Sequence, residues 1–328
     1  MAEVIRRFIG NTSMTCFPVG LGCASLSGAY GPADAGEGLN VLRAALDQGV
    51  TLLDTSDKYG WGANEELIGE AVAGRRSSVQ IASKFGNMAG KDGRIADGRP
   101  ETVIASCEAS LQRLKTDRID LYYVHRIDPS VPIEETVGAM ARLVEQGKVV
   151  ALGLCEANPV TLRRAHKVHP ISAIQSEYSI LYRSEAEEVL ATTRELGISF
   201  VAYAPLGRGL LTGAVVAESL GKDDERLRHP RFQPENLERN LALAQSLRDI
   251  AAKRNCTAGQ VAIAWLLAQG NDIIPIPGTK LMHRLVENIA AASVELTAED
   301  VSFLSAAIPP GAAAGTRYRA EHMKNMYL

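Results

Sequence analysis

Three short phrases of this chain carry an acid, a phenol, an ammonium and an imidazole. LLDTSDKYG (52–60) holds Asp54 and Tyr59, IASKFG (81–86) holds Lys84, and LYYVHRID (121–128) holds His125. Together these groups suit proton transfer to a carbonyl oxygen. A free tyrosine has a pKa of about 10, too high for a ready proton shuttle at neutral pH. An ammonium held against the phenol favours phenolate and lowers that pKa, and a carboxylate behind the lysine keeps it charged and oriented. Tyr59 would then protonate a carbonyl oxygen as hydride reaches the carbon, and would take a proton from an alcohol in reverse. His125 would orient the same oxygen and add a second hydrogen bond. None of these side chains supplies hydride, so the chemistry calls for a nicotinamide cofactor. Singly, each also has an ordinary use: Asp54 as a cap, Tyr59 as packing, Lys84 as a solvated strand end, His125 as a satisfied core histidine.

A fourth phrase, IPGTKLMHRLVEN (276–288), offers an anion site. Gly278 permits close backbone approach, and Thr279, Lys280 and Arg284 gather a hydroxyl and two cations where a helix should start. A phosphate at a helix amino terminus fits such a set, as does a plain solvated basic turn. If Lys280 and Arg284 both lie within that helix, their spacing of four puts them on one face.

The first three phrases are apolar or β-branched runs that end abruptly in polar residues, as buried strands do where their carboxyl ends open into a site. Strand-like runs recur at 19–24, 51–54, 79–84, 119–125, 149–154, 171–175, 199–204 and 272–276, with helical patterns between them. In 100–114, Pro100 opens a helix striped by Ile104, Cys107, Leu111 and Leu114. In 133–147, Ile133, Val137, Met140 and Val144 form the stripe, and 36–48 carries Leu39, Leu42 and Leu46. Eight such units predict a (β/α)8 TIM barrel of the α/β class, with the candidate site at the carboxyl ends of neighbouring strands. A doubly wound nucleotide fold would need G-x-G-x-x-G after its first strand. GLGCASLSG (20–28) has the first two glycines without the third.

The chain reads as one domain over 1–328: an amino-terminal β-hairpin at 6–18 that plugs the barrel's amino-terminal end, a barrel at 19–293, and a carboxyl-terminal helix and tail at 294–328. The glycine- and proline-rich stretch 207–236 predicts a long loop covering the site. Helices are expected at 236–256, 257–270 and 298–307.

Composition sets the outer limits. With 46% hydrophobic and 22% charged residues, the 328 residues can bury a large core. A net charge of -3 without a basic block argues against nucleic acid and membrane surfaces as partners. The five cysteines lack metal-ligand or C-x-x-C spacing and read as free thiols of a reducing compartment. The start lacks a signal-peptide core, and the longest apolar run, 261–268, is too short to span a bilayer. A soluble, cytoplasmic protein is expected. Only His125 of the six histidines falls at a strand end, so no metal site is expected and a metal-dependent hydrolase is set aside. Nothing in the chain specifies an oligomeric state.

These phrases, taken together, resemble the aldo-keto reductase family over nearly the whole chain. YYVHRID with VPIEETVGAM is most similar to its medium-chain bacterial, fungal and plant branch. The resemblance implies a catalytic set of Asp54, Tyr59, Lys84 and His125, with Asp54 and Tyr59 five positions apart. It implies NADPH as cofactor, with the adenosine 2′-phosphate on Thr279, Lys280 and Arg284 and the adenine on Glu287 and Asn288. Tyr203 would stack on the nicotinamide and Gln175 would bind its carboxamide. Gly22, Cys23, Cys155, Pro205, Leu206, Gly207, Arg208 and Gly278 complete the implied cofactor lining. Many members carry Ser-Asn after the fifth strand to hold the carboxamide, whereas this chain has Cys155 and Glu156. A thiol is the weaker donor, and an ionised carboxylate donates nothing. The pocket wall would include Tyr30, Trp61, Phe85 and Arg126, with Arg208 and the tail around Tyr318. The implied activity is reversible NADPH-dependent reduction of aldehydes and ketones, an NADP(H)-dependent alcohol dehydrogenase of class EC 1.1.1.-. The resemblance also admits a cofactor-sensing regulatory subunit with slow turnover.

Overall fold

The computed structural model describes residues 5–91, 94–213, 215, 220, 221, 224–324 and 326–328. A two-stranded antiparallel hairpin comes first, β1 (Arg7–Phe8) against β2 (Thr15–Cys16). The barrel strands β3 (Leu21–Gly22), β4 (Leu52–Asp54) and β5 (Gln80–Phe85) follow. A second small hairpin, β6 (Asn87–Lys91) with β7 (Arg94–Ala96), is inserted after β5, where the sequence reading had only a connection. Then come β8 (Ile119–Val124), β9 (Val149–Cys155), β10 (Ile171–Glu177), β11 (Ser199–Tyr203) and β12 (Ile273–Pro275).

All eight barrel strands pair in parallel, in the order β12-β11-β10-β9-β8-β5-β4-β3. The sheet closes on itself where Gly20 N–H donates to Pro275 O at 2.9 Å and Gly22 pairs with Gly278. The expected (β/α)8 barrel is therefore the fold.

Among the described residues, twelve α-helices surround or cap it: α1 (Ala35–Asp47), α2 (Ala63–Ala71), α3 (Pro100–Leu114), α4 (Ile133–Glu145), α5 (Pro159–Val168), α6 (Ser184–Leu196), α7 (Pro234–Leu243), α8 (Gln245–Arg254), α9 (Ala258–Ala268), α10 (Met282–Ala290), α11 (Ala298–Ala307) and α12 (Ala320–Met323). Local chemistry sets several ends. Pro100 occupies the first turn of α3, and Thr257 with Gln260 forms a capping box at α9. The single helix expected over 236–256 is two, broken at Ala244, and the first begins earlier, at Pro234.

Strand parity divides the core into two layers. Leu52, Ala82, Leu121, Tyr123, Ala151, Cys155, Ala173, Val201 and Ile274 pack inside the barrel. Their chain neighbours Leu53, Ile81, Tyr122, Leu152, Ile174, Phe200 and Ile273 face the helices. One inward position must be glycine. A Cβ on Gly153 would lie 2.3 Å from the Tyr123 ring, so the absent side chain makes room for that phenol.

The amino-terminal hairpin packs on the end of the barrel where the strands begin. Ile9 and Cys16 join the inner layer, Ser199 Oγ donates to Phe8 O at 2.9 Å, and Arg7 donates to the carbonyls of Gly270 and Ile273.

All five cysteines are free thiols. No helix among the described residues is long and apolar enough to cross a membrane, and none of their His, Cys, Asp and Glu side chains group as metal ligands. Of the stretch 207–236 expected to cover the site, residues 214, 216–219, 222 and 223 lie outside the described residues.

Candidate active site

The parity that fills the barrel also aims its polar residues. Counting by two from the inward apolar positions, Asp54 follows Leu52, Lys84 follows Ala82, and His125 follows Leu121 and Tyr123. On the strands beyond, Cys155, Gln175 and Tyr203 occupy the same inward register. Asp54 pairs with Ala82 and Lys84 with Tyr123 across adjacent strands, so three of the four chemical groups meet at one mouth. Tyr59 reaches them from the turn Tyr59–Gly62 that follows β4.

Lys84 is fully buried. Its ammonium donates to Asp54 Oδ1 at 2.5 Å, to Thr55 O at 2.7 Å and to the Tyr59 hydroxyl at 3.5 Å. Gln175 Nε2 donates to the other Asp54 oxygen at 2.6 Å. The Tyr59 and His125 rings meet edge to face, centroids 6.0 Å apart. His125 Nδ1 lies 3.0 Å from Ser56 Oγ. That hydroxyl accepts the Lys58 N–H at 3.1 Å, and Nδ1 is the nearest group to which it can donate. Donation there leaves the imidazole proton on Nε2.

Burial dominates the electrostatics. It pushes the Tyr59 phenol up to about 12, with Lys84 opposing and Asp54 and Cys155 adding to the rise. The expectation that the ammonium leaves a lowered tyrosine pKa is thus corrected, because desolvation of the phenolate outweighs it. Burial also drives His125 well below the usual imidazole range, helped by Arg126, Lys84 and Lys58, so the ring is neutral. For Lys84, burial pulls down, but Asp54, Tyr59 and Cys155 prevail and hold the ammonium charged.

The site opens into a cavity of about 680 Å³. Asp54, Tyr59 and His125 form part of its wall, with Tyr30 and Arg126 near them. Gly22, Cys155, Gln175, Tyr203, Pro205, Leu206 and Arg208 continue it, and Gly278, Thr279, Lys280, Arg284, Glu287 and Asn288 complete the far side.

Four residues expected in the lining stand elsewhere. Phe85 has the opposite parity to Lys84, so it faces the helices and stacks on Tyr122 at 5.0 Å. Trp61, at a φ of 51° in the turn, is 60% exposed, with the Lys58 ammonium over its ring. Cys23 is buried with its thiol donating to Leu21 O, and Gly207 packs against Leu181.

At the cationic end, α10 starts at Met282, so Lys280 lies ahead of the helix and shares no helical face with Arg284. Lys280 instead donates to Tyr30 O and Pro32 O, spanning to the segment before α1. Arg284 pairs with Glu287 at 2.7 Å, and Glu287 also accepts from Thr257. Among the described residues, no side chain caps the amino terminus of α10.

Cys155 lines the cavity, whereas Glu156 turns away at a φ of 54°. Its carboxylate takes a two-pronged hydrogen bond from Arg317, at 2.8 and 2.6 Å, and accepts the Glu177 N–H at 3.1 Å. Both partners of the ion pair are 2% exposed or less. Arg317 also reaches the Tyr203 hydroxyl at 3.3 Å, and Tyr318 lies 3.1 Å from that hydroxyl. Sequence reasoning missed Ser25, Ser56 and Arg317. Ser56 has a local signal, two residues after Asp54 in DTSD, but Arg317 has none.

The sequence model of the Aldo/keto reductase family matches residues 18–308. A relative named "Probable aldo-keto reductase 1", from Glycine max, is 44% identical over 313 residues, covering 94% of this chain and 90% of that one. Among solved structures, a glycerol dehydrogenase from Gluconobacter oxydans superposes with a TM-score of 0.84 at 30% identity, over 95% of this chain and 98% of that one. An aldo-keto reductase from Bacillus halodurans, in its holo form, gives 0.78 at 27% identity, over 97% and 100%. One from Klebsiella pneumoniae, in complex with NADP and acetate, gives 0.75 at 24% identity over 95% and 98%, a likeness of fold.

Proposed function

This chain belongs to the aldo/keto reductase family, and on that premise we propose that it is an NADPH-dependent carbonyl reductase, reversible as an alcohol dehydrogenase, with Tyr59 as proton donor. One observation carries the reading. A half-buried phenol, kept protonated, stands against a charged lysine and a neutral imidazole at the mouth of a large cavity.

Three features of the cavity suit NADPH. The backbones of Gly22 and Gly278 approach so closely that a Cβ on Gly278 would sit 2.8 Å from Gly22 O. The Ser25 hydroxyl lies buried beside them with no partner among the described residues. The uncapped start of α10, with Lys280 and Arg284 beside it, matches the charge of a phosphate. Thr279, Lys280 and Arg284 would hold the 2′-phosphate, Glu287 and Asn288 the adenine, and Tyr203 would stack on the nicotinamide. Glu156 is committed to Arg317, so Gln175 and Cys155 are the inward groups left for the carboxamide. The cofactor supplies hydride.

The chain's own residues then manage the proton. His125, donating through Nε2, orients the carbonyl oxygen beside Tyr59, and Tyr59 gives its hydroxyl proton to that oxygen. Lys84, held by Asp54 and Thr55, stabilises the phenolate that results. A pure cofactor sensor has no use for this complete set, so turnover is the expected role. Five free thiols suit a reducing, cytoplasmic setting. A panel of simple aldehydes and ketones, assayed with NADPH and NADH side by side, tests the reading. Turnover should favour NADPH, and no turnover with any carbonyl would overturn it in favour of the sensor.

A further inference from the structure

Four arginines line the cavity: Arg126, Arg208, Arg226 and Arg284. Three have a carboxylate partner within the fold. Arg208 pairs with Glu177 at 3.0 Å, Arg226 with Asp224 at 2.7 Å, and Arg284 with Glu287 at 2.7 Å. Arg126 is the exception. Among the described residues its guanidinium makes one hydrogen bond, to the neighbouring carbonyl of His125 at 2.7 Å, and has no carboxylate within ion-pair distance. It is half-buried beside the imidazole that faces the reacting oxygen. A partly desolvated cation is costly to keep without an anion, and a guanidinium presents a fork that fits carboxylate or phosphate oxygens.

The cofactor's phosphates are not that anion. Arg126 follows β8, four strands from β12 around an eight-stranded barrel, so it stands across the mouth from Lys280 and Arg284. Arg126 instead joins the cavity to a side chamber of about 280 Å³. That chamber adds His322 with Arg228 and Arg319, and both arginines have a carboxylate partner, Glu225 at 3.1 Å and Glu321 at 4.0 Å. Arg126 is therefore the one arginine of the cavity and its side chamber with no carboxylate partner among the described residues.

We infer that Arg126 selects carbonyl substrates that carry an anionic oxygen group, carboxylate or phosphate, a few bonds from the carbonyl carbon. This rests on the carbonyl-reductase reading above. Because Arg126 adjoins His125, a carbonyl held by His125 and Tyr59 places such a group within reach of the guanidinium.

The test uses the full-length enzyme with NADPH and two matched pairs of probes. One is 4-oxobutanoate with its methyl ester, the other glyceraldehyde 3-phosphate with glyceraldehyde, so the arms separate carboxylate from phosphate. For at least one pair, kcat/KM should favour the anion by roughly 10- to 150-fold, the scale of a charged hydrogen bond. Arg126→Leu should collapse that ratio mainly through KM of the anion, Arg126→Lys should keep part of it, and raised salt should narrow it in the wild type. Quenching of NADPH fluorescence establishes that each variant is folded. If the leucine variant does not fold, the wild-type ratio and its salt dependence still decide the matter. Wild-type enzyme that handles both neutral partners as well as the anions would overturn the inference while leaving the reductase reading intact. Equal losses on both members of a pair in Arg126→Leu would do the same. Failure to reduce any of the four probes or any other carbonyl would overturn the reductase reading and this inference with it.

Discussion

At the scale of single residues, the balance between burial and charge at Tyr59 decides which form of the phenol the proposed proton transfer would start from. Lys84 alone would favour phenolate, but the ammonium is 3.5 Å from the hydroxyl and is itself tied to Asp54 and Thr55. Desolvation wins and pushes the phenol up to about 12, so it waits protonated at neutral pH. The sign of the pH dependence follows. A donor whose pKa is raised keeps its proton throughout the neutral and mildly alkaline range, so the reductive rate should stay level there, wherever the protein remains folded. Oxidation of an alcohol needs the phenolate and should climb as pH rises. His125, pushed far below the usual imidazole range, should add no inflection between pH 6 and about 7. Rates measured in both directions against pH check this. A reductive rate that titrates away between pH 7 and about 9 would show a lowered tyrosine instead.

At the scale of elements, strand parity made much of the site legible before any coordinates. Asp54, Lys84, His125, Gln175 and Tyr203 lie at the polar ends of apolar runs, and counting by two from Leu52, Ala82, Leu121, Ala173 and Val201 turns them all inward. The same count would have excluded Phe85, which is one residue out of step with Lys84. Other features left no such trace. The break at Ala244 falls in a run whose apolar spacing passes through it, and the β6–β7 hairpin has no strong alternation to announce it. The position of Lys280 depended on where α10 begins, the least readable property of a helix in sequence. On the proposed reading, Arg284, inside the first turn of α10, would be the residue that distinguishes the two cofactors. Arg284→Ala should weaken NADPH binding by roughly 10- to 150-fold, since a charged hydrogen bond contributes about 1.5–3 kcal/mol. NADH affinity should hardly change, as NADH lacks the 2′-phosphate. Titration of both cofactors separates the cases, and equal losses would assign Arg284 to supporting Glu287 and Thr257.

At the scale of the molecule, contacts remote in sequence close both ends of the barrel. The hairpin around Arg7 covers the end where the strands begin. At the other end, the carboxyl-terminal tail is fastened to Glu156 twice, through the Arg317 ion pair and through Leu328, whose N–H donates to Glu156 O at 3.2 Å. No local pattern could disclose a pair separated by 161 positions. Arg317→Met would strand a buried carboxylate, so it should lower unfolding stability by about 3–5 kcal/mol, less if water enters with the loosened tail. Adding Glu156→Met should recover much of that loss, because the charges would leave together. Chemical denaturation of the single and double variants measures both. The proposed reaction turns on Tyr59 giving its proton as hydride is transferred. Its most direct test is single-turnover oxidation of enzyme-bound NADPH by a simple aldehyde, comparing wild type with Tyr59→Phe. The variant should bind NADPH as the wild type does and transfer hydride at least about 100-fold more slowly. A variant that transfers hydride at the wild-type rate would remove Tyr59 from the chemistry and contradict the account.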